Sequence, residues 1–257
     1  MLIDTHAHLT DEAYKDNVDE IITQLKDNKI EKVFTVAYNK ETIIKSVKLA
    51  EKYENIYAII GIHPDEVDDY DSETIELIEK YSQHKKVIAI GEIGLDYHYE
   101  NYDKDKQKQV FISQIKLAHK LKLPICIHNR DSIGDCLEIL KNHKEYLEFG
   151  GVVHCFSESE EIYKEIKKLG LKISFGGILT FKNSVVAPKV CKLADIEDII
   201  VETDCPYLTP HPYRGQVNEP KYVSLVAQKI GEIKALSYDT VVNKTTENAL
   251  QLFSKAR

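Results

Sequence analysis

The chain has 257 residues, 43% of them hydrophobic, with 34 basic against 42 acidic side chains and a net charge of −8. That composition is enough for a full soluble core. It holds no apolar run of about 18 residues that would span a membrane, and the scattered charges leave no broad basic surface for gripping duplex DNA.

Short apolar runs alternate with stretches of helical periodicity along the whole chain. The pattern predicts strands over residues 2–6, 32–36, 57–61, 87–91, 124–128, 151–154, 172–175 and 198–202. Between them it predicts helices over 17–28, 40–53, 72–83, 104–122, 131–143, 159–169 and 185–193. An irregular stretch, 205–220, holds four of the seven prolines, and helices over 222–234 and 237–256 close the chain. This rhythm is that of a (β/α)8 TIM barrel, a single domain over residues 1–257 with an extra C-terminal helix. The strand C-terminal ends then share one mouth, where a loop as long as 205–220 is usually functional. The opening MLIDTHAHLTDE has neither a basic nor an apolar leader region, so it does not read as a signal peptide and a cytoplasmic protein is expected. The five cysteines form no CxxC pair and are odd in number, which points to reduced thiols. Strand alternation would turn Cys155 and Cys205 away from the mouth if His154 and Asp204 face it.

Six potential metal ligands each follow a short apolar run: His6 and His8, Glu92, His128, His154 and Asp204. Residues i and i+2 of an extended segment share a face, roughly 6.5–7 Å apart, so His6 and His8 reach one ion. Glu92 ends a strongly apolar strand, and a carboxylate there can bridge two ions. The flanking Gly91 and Gly94 would let the backbone turn sharply around it. His128 and His154 end consecutive strands, as suits a second ion. Strand 8 neighbours strand 1 in a closed barrel, which sets Asp204 beside His6 and His8. His63 ends strand 3 without a second ligand and reads as a substrate contact. His84, His119 and His143 read as surface or packing residues, while His98 lies in a loop, 97–102, able to overhang the mouth. Only three of 34 basic residues are Arg. Arg130 and Arg214 both follow ligand-bearing strands, and the guanidinium fork suits phosphate. Lys182, just beyond strand 7, is a further phosphate contact.

Asp4-Thr5-His6-Ala7-His8, Gly61-Ile62-His63-Pro64, Gly91-Glu92-Ile93-Gly94-Leu95-Asp96-Tyr97, His128-Asn129-Arg130, His154-Cys155-Phe156-Ser157, Glu202-Thr203-Asp204 and the segment from Arg214-Gly215 to Asn218-Glu219-Pro220 together resemble the TatD-type metal-dependent deoxyribonucleases, which are amidohydrolase-like TIM barrels. The resemblance runs from residue 3 to about residue 255. It implies that His6, His8 and Asp204 hold one ion, His128 and His154 the other, and that Glu92 bridges them. It also implies Mg²⁺-supported hydrolysis of DNA phosphodiesters, exonucleolytic from the 3′ end, on single strands or duplex ends. Glu158, Gln216 and Val217 depart from the family pattern toward less positive charge.

The expected mechanism is two-metal hydrolysis, with Asp204 as general base beside Glu92 and with His63, Arg130, Lys182 and Arg214 binding substrate. By ligand softness the set also suits Zn²⁺, Mn²⁺ or Ni²⁺. The runner-up activity is amidohydrolase-type hydrolysis of an ester, a lactone or an aminoacyl-tRNA by the same water. A non-catalytic metal scaffold is disfavoured, because a structural site rarely needs an open binuclear centre. Neither a membrane nor an obligate protein partner is expected.

Overall fold

The computed structural model describes residues 1–99 and 103–257. Its centre is an eight-stranded parallel sheet in sequential order: β1 (Leu2–Ala7), β2 (Ile30–Val36), β3 (Ile56–Ile60), β4 (Val87–Asp96), β5 (Ile125–Arg130), β6 (Gly151–Val153), β7 (Lys172–Phe175) and β8 (Ile199–Val201). The last strand returns to the first. Ala7 forms a parallel bridge with Cys205, where Asp204 N–H donates to the His6 carbonyl at 2.9 Å and His8 N–H to the Cys205 carbonyl at 2.8 Å. The fold is therefore a nearly closed TIM barrel, as the sequence rhythm predicts.

Around it lie α1 (Val18–Thr23), α2 (Lys40–Lys52), α3 (Ser72–Ser82), α4 (Lys104–Leu121), α5 (Ile133–Asn142), α6 (Glu160–Lys168), α7 (Val186–Leu193), α8 (Val223–Lys234) and α9 (Tyr238–Leu252). Several open on side chains that take up otherwise orphaned backbone N–H groups. Asn39 with Thr42 and Asp71 with Thr74 form capping boxes, and Ser159 and Ser237 cap α6 and α9. None of the helices among the described residues is long and apolar enough to cross a membrane.

The core has two parts. A large one lies between the strands and the helix ring, and a smaller one fills the barrel, where Ile3, Phe34, Ile59, Ile88 and Ile200 meet Phe253 and Ala256. The Phe253 ring packs edge-on against Phe34 with centroids 5.1 Å apart. The extra C-terminal helix thus reaches the barrel interior.

Three of the differences from the expected element boundaries have a local cause. Helix α1 ends at Thr23 instead of residue 28, because Leu25 N–H turns back to the Ile22 carbonyl and the Asn28 amide competes for the Gln24 carbonyl. Strand β8 is three residues long, so Asp204 lies beyond it in a left-handed conformation, φ 56°. Strand β4 runs on past Glu92 to Asp96 instead of ending at residue 91. Its pairing with β5 shifts register between Ile90 and Ile93, and Gly94 (φ 151°) lets the backbones approach: a Cβ there would stand 1.9 Å from the His128 carbonyl oxygen.

Candidate metal centre

Glu92 is the hub of the mouth. Its Oε2 lies 3.3 Å from His6 Nε2 and 3.6 Å from His8 Nε2. Asp204 Oδ1 faces the same two nitrogens at 3.7 and 3.5 Å, and the nitrogens are 3.3 Å apart. Ligands of one four-coordinate ion with bonds of about 2.0–2.2 Å stand roughly 3.3–3.6 Å from one another, close to the 3.3–3.7 Å that separates the two imidazoles from each other and from the two carboxylates. The other carboxylate oxygen, Oε1, serves a different pair: His128 Nδ1 at 2.8 Å and His154 Nε2 at 2.7 Å, themselves 3.2 Å apart. All six residues chosen from sequence thus converge, and one carboxylate divides them into two groups.

Each imidazole is aimed by a contact on its far side. His8 Nδ1 lies 3.2 Å from the Val36 carbonyl and donates to it, which turns Nε2 toward Glu92 and Asp204. His128 Nε2 lies 3.0 Å from Asp96 Oδ2, leaving Nδ1 for Glu92. His6 stacks on His154, centroids 4.1 Å apart, with its Nδ1 3.5 Å from the Cys126 thiol. Behind His154 lies Glu202, 3.6 Å from Nδ1. Its oxygens accept from the Cys155 N–H at 2.7 Å and the Ser174 hydroxyl at 2.6 Å. Under His6, the Asp4 carboxyl accepts from the Thr203 N–H and hydroxyl at 2.9 and 2.6 Å, and burial pushes it up to about 8.

The electrostatics favour positive charge at the hub. Burial opposes ionisation of Glu92, but His154 and His6 outweigh it and hold the carboxyl well below its ordinary range. Burial likewise opposes charging His154, and Glu92 and Glu202 overcome it, driving the imidazole well above its usual value. His128 is raised against burial by its bonds to Asp96 and Glu92. Oxygen and nitrogen lone pairs this close are held together only by protons or by cations, so the donor set suits divalent ions.

The centre opens into a cleft of about 660 Å³. His63 and Arg130 line it; Lys182 and Arg214 do not. His63 Nδ1 accepts from the Asp65 N–H at 3.1 Å, and its Nε2 is 3.8 Å from Glu92 Oε1. Burial and the neighbouring His128 push its pKa down to about 3. Arg130 stands 3.9 Å from Asp96 Oδ2. Lys182 is exposed, and the exposed Arg214 lies over the Phe181 ring, 3.9 Å from its centroid. His98 pairs with Asp131 at 3.1 Å and is not among the cleft residues. Of its loop, 97–102, residues 100–102 lie outside the described residues. Glu158 accepts from the Asn129 amide at 2.8 Å, and Gln216 and Val217 are exposed.

One expectation from strand alternation fails. Cys155 lines the cleft beside His154, because β6 ends at Val153 and Cys155 itself is left-handed at φ 48°, which breaks the period of two. Cys205 is fully buried, as expected. All five cysteines are free, and burial raises the thiols of Cys126 and Cys155 well above their usual value. Sequence reasoning gave no site role to Asp96 or Glu202. The signal was present, since Asp96 is Glu92 plus four on one strand and Glu202 is Asp204 minus two.

Comparison with known proteins bears on the family and the fold. The family model described as TatD related DNase matches residues 3–254. The chain is 45% identical over 253 residues to the uncharacterized metal-dependent hydrolase YabD of Bacillus subtilis, covering 98% of this chain and 99% of that one. It is 32% identical to YcfH, an uncharacterized metal-dependent hydrolase of Escherichia coli K12, over 98% and 95% of the two chains. Among solved structures, YjjV, a TatD homologue from E. coli K12, superposes with a TM-score of 0.93 at 27% identity, covering 98% of each chain.

Proposed function

Because the chain belongs to the TatD-related DNase family and is a metal-dependent hydrolase, we propose that it hydrolyses DNA phosphodiester bonds, shortening strands from the 3′ end. The observation that carries this reading is the division of Glu92, one oxygen to each histidine pair. His6, His8 and Asp204 would hold one divalent cation and His128 and His154 the other, with Glu92 between them. Bound there, Mg²⁺, Mn²⁺, Zn²⁺ or Ni²⁺ would acidify a water and offset the charge of the phosphate.

The protein's own groups supply the rest. Asp204 is ionised at neutral pH, since the His8 hydrogen bond and the nearby imidazoles overcome its burial. Its second oxygen takes the proton of the attacking water. His63 is neutral over the physiological range with its proton on Nε2, and it donates that N–H to a phosphate oxygen. Arg130, half-exposed beside Asp96, pairs with the phosphate through its fork. Lys182 and Arg214 lie outside the cleft and are assigned to phosphates further along the strand.

Charge also argues for metal-dependent substrate binding. Asp65, Glu66, Glu92, Asp96 and Asp204 all line the cleft, so a polyanion enters only once cations have reversed the local sign. A neutral ester or lactone would give Arg130 no anion to meet.

The test is purified protein with end-labelled single- and double-stranded DNA, each divalent metal in turn, beside a neutral ester. The expected result is metal-dependent shortening from the 3′ end. Turnover of the ester with no DNA cleaved under any metal overturns the proposal.

A further inference from the structure

Two exposed aromatic rings flank the ligand cluster. Tyr207 follows β8 and is 53% exposed; Tyr99 follows β4 and is 50% exposed. Both line the cleft that contains Glu92 and Asp204. In an eight-stranded barrel of sequential order, β4 and β8 lie on opposite sides. The rings therefore face the cluster from opposite walls.

Tyr207 is pinned despite its exposure. Its N–H donates to the Asp204 carbonyl at 3.0 Å, its carbonyl accepts from the Asn218 amide at 2.6 Å, and its hydroxyl donates to Asp11 at 2.9 Å. The ring stands edge-on to His8, centroids 6.0 Å apart. Asn218 is itself fully buried and also bonds the Thr203 carbonyl at 2.9 Å, so the mount is part of the same β8 end that carries Asp204. Tyr99 has the Arg130 guanidinium 5.5 Å from its ring centroid, which sets a planar cation beside a planar ring. A half-exposed ring fixed at three points buries little apolar surface for the protein itself, but it is a binding surface whose ordering cost has already been met.

We propose that Tyr207 and Tyr99 are stacking platforms for the two nucleobases on either side of the scissile phosphate. The inference rests on the DNA reading above. A phosphodiester has one nucleoside on each side, and the two exposed rings lie on either side of the ligand cluster; Tyr38, which also lines the cleft, is partly buried with its ring edge-on to His8. Base–aromatic stacking is tolerant of sequence because every base has a π face. Neither base can lie on a tyrosine while stacked within a duplex, so the substrate is a single strand or a frayed end, read without sequence preference.

The experiment uses single-stranded oligonucleotides that are intact or abasic at either of the two nucleosides flanking the cleaved bond. Tyr207→Ala and Tyr99→Ala should each lower kcat/KM on the intact strand roughly five- to hundredfold, mainly through KM. For each variant the loss should vanish on one abasic strand only, a different one for each tyrosine. Tyr207→Phe, which keeps the ring but lacks the hydroxyl held by Asp11, should lose less than Tyr207→Ala. Losses that are the same on intact and abasic strands overturn the proposal.

A binding measurement is independent of catalysis. The chain contains no tryptophan, so Tyr207→Trp gives a single indole emitter at the platform. A methylphosphonate-linked thymidine dinucleotide, uncharged and not cleaved, should quench it saturably in EDTA; absence of quenching counts against the platform. Quenching without DNA cleavage by the wild type would retain the base-binding surface and overturn the nuclease reading. Cleavage with neither quenching nor dependence on the flanking bases would do the reverse.

Discussion

Asp204 meets both His6 and His8 through Oδ1, which leaves its other oxygen for a proton. Asp204→Asn preserves shape but removes that base and a ligand charge, so turnover should fall at least 10²-fold with an unchanged circular dichroism spectrum; a variant keeping a tenth of the rate would exclude Asp204 as the base. Arg130→Ala separates phosphate binding from support of the metal centre. It should weaken DNA turnover strongly while bound metal and neutral-ester hydrolysis stay at wild-type level, and Arg130→Lys should restore only part of the loss. If Arg130 acts instead by steadying Asp96 and through it His128, metal content and every activity will decline together. His63 gives a pH prediction. Its folded pKa, about 3, lies below the ordinary 6.5, so below pH 6.5 the unfolded chain takes up a proton that the folded chain refuses. Stability should therefore be lost as pH falls from 6.5 toward 3, by on the order of 1 kcal/mol per pH unit. Denaturant titrations at pH 7 and pH 5 should show a smaller decrease for His63→Gln than for wild type.

At the scale of elements, the ligand-type side chains come from β1, β4, β5, β6 and β8 or the residues that follow them, and the C-terminal helix works at a distance from them. Phe253 is fully buried against Phe34 and belongs to the small core inside the barrel with Ile88 and Ile200. Phe253→Ala should destabilise the fold by about 3–5 kcal/mol, the usual cost of a cavity of that size. The six mouth residues lie outside that cluster, so metal binding at low temperature should be retained. A thermal melt beside a metal titration checks both halves, and loss of metal affinity in a still-folded variant would show that the small core positions the ligands. Strand β4 illustrates the coupling within an element: Ile93 and Leu95 are buried in the large core while Glu92 and Asp96 act at the centre.

For the whole molecule, buried histidines and carboxylates in mutual contact make metal binding a proton-exchange reaction. His8, His128 and His154 all hold protons more tightly than an ordinary imidazole, because Asp204, Asp96 and Glu92 outweigh their burial. Divalent ions must displace those protons, so apparent affinity should rise with pH through the neutral range. Calorimetric titration with Zn²⁺ or Mn²⁺ in buffers of different ionisation heat should reveal proton release. Binding of the folded state alone should also raise Tm with metal concentration, and chelation should reverse it. A pH-independent affinity without proton release would mean that the histidines do not take the metal.

The order of strands and helices, the barrel class and the six ligand-type side chains that meet at the mouth are legible in the chain alone. Those features depend on local periodicity and on the rule that parallel strands end on one side. Three things were decided only in three dimensions. Glu92 lies within a strand that continues to Asp96, because Gly94 lets β4 close against the His128 carbonyl. Cys155 turns into the cleft, because a left-handed residue after β6 breaks the alternation that sequence reasoning relies on. Arg214 lies over Phe181 outside the cleft while Arg130 lies within it, although the two look equivalent in sequence. Register shifts and left-handed residues are set by contacts between segments far apart in the chain, and a one-dimensional pattern carries no record of those contacts.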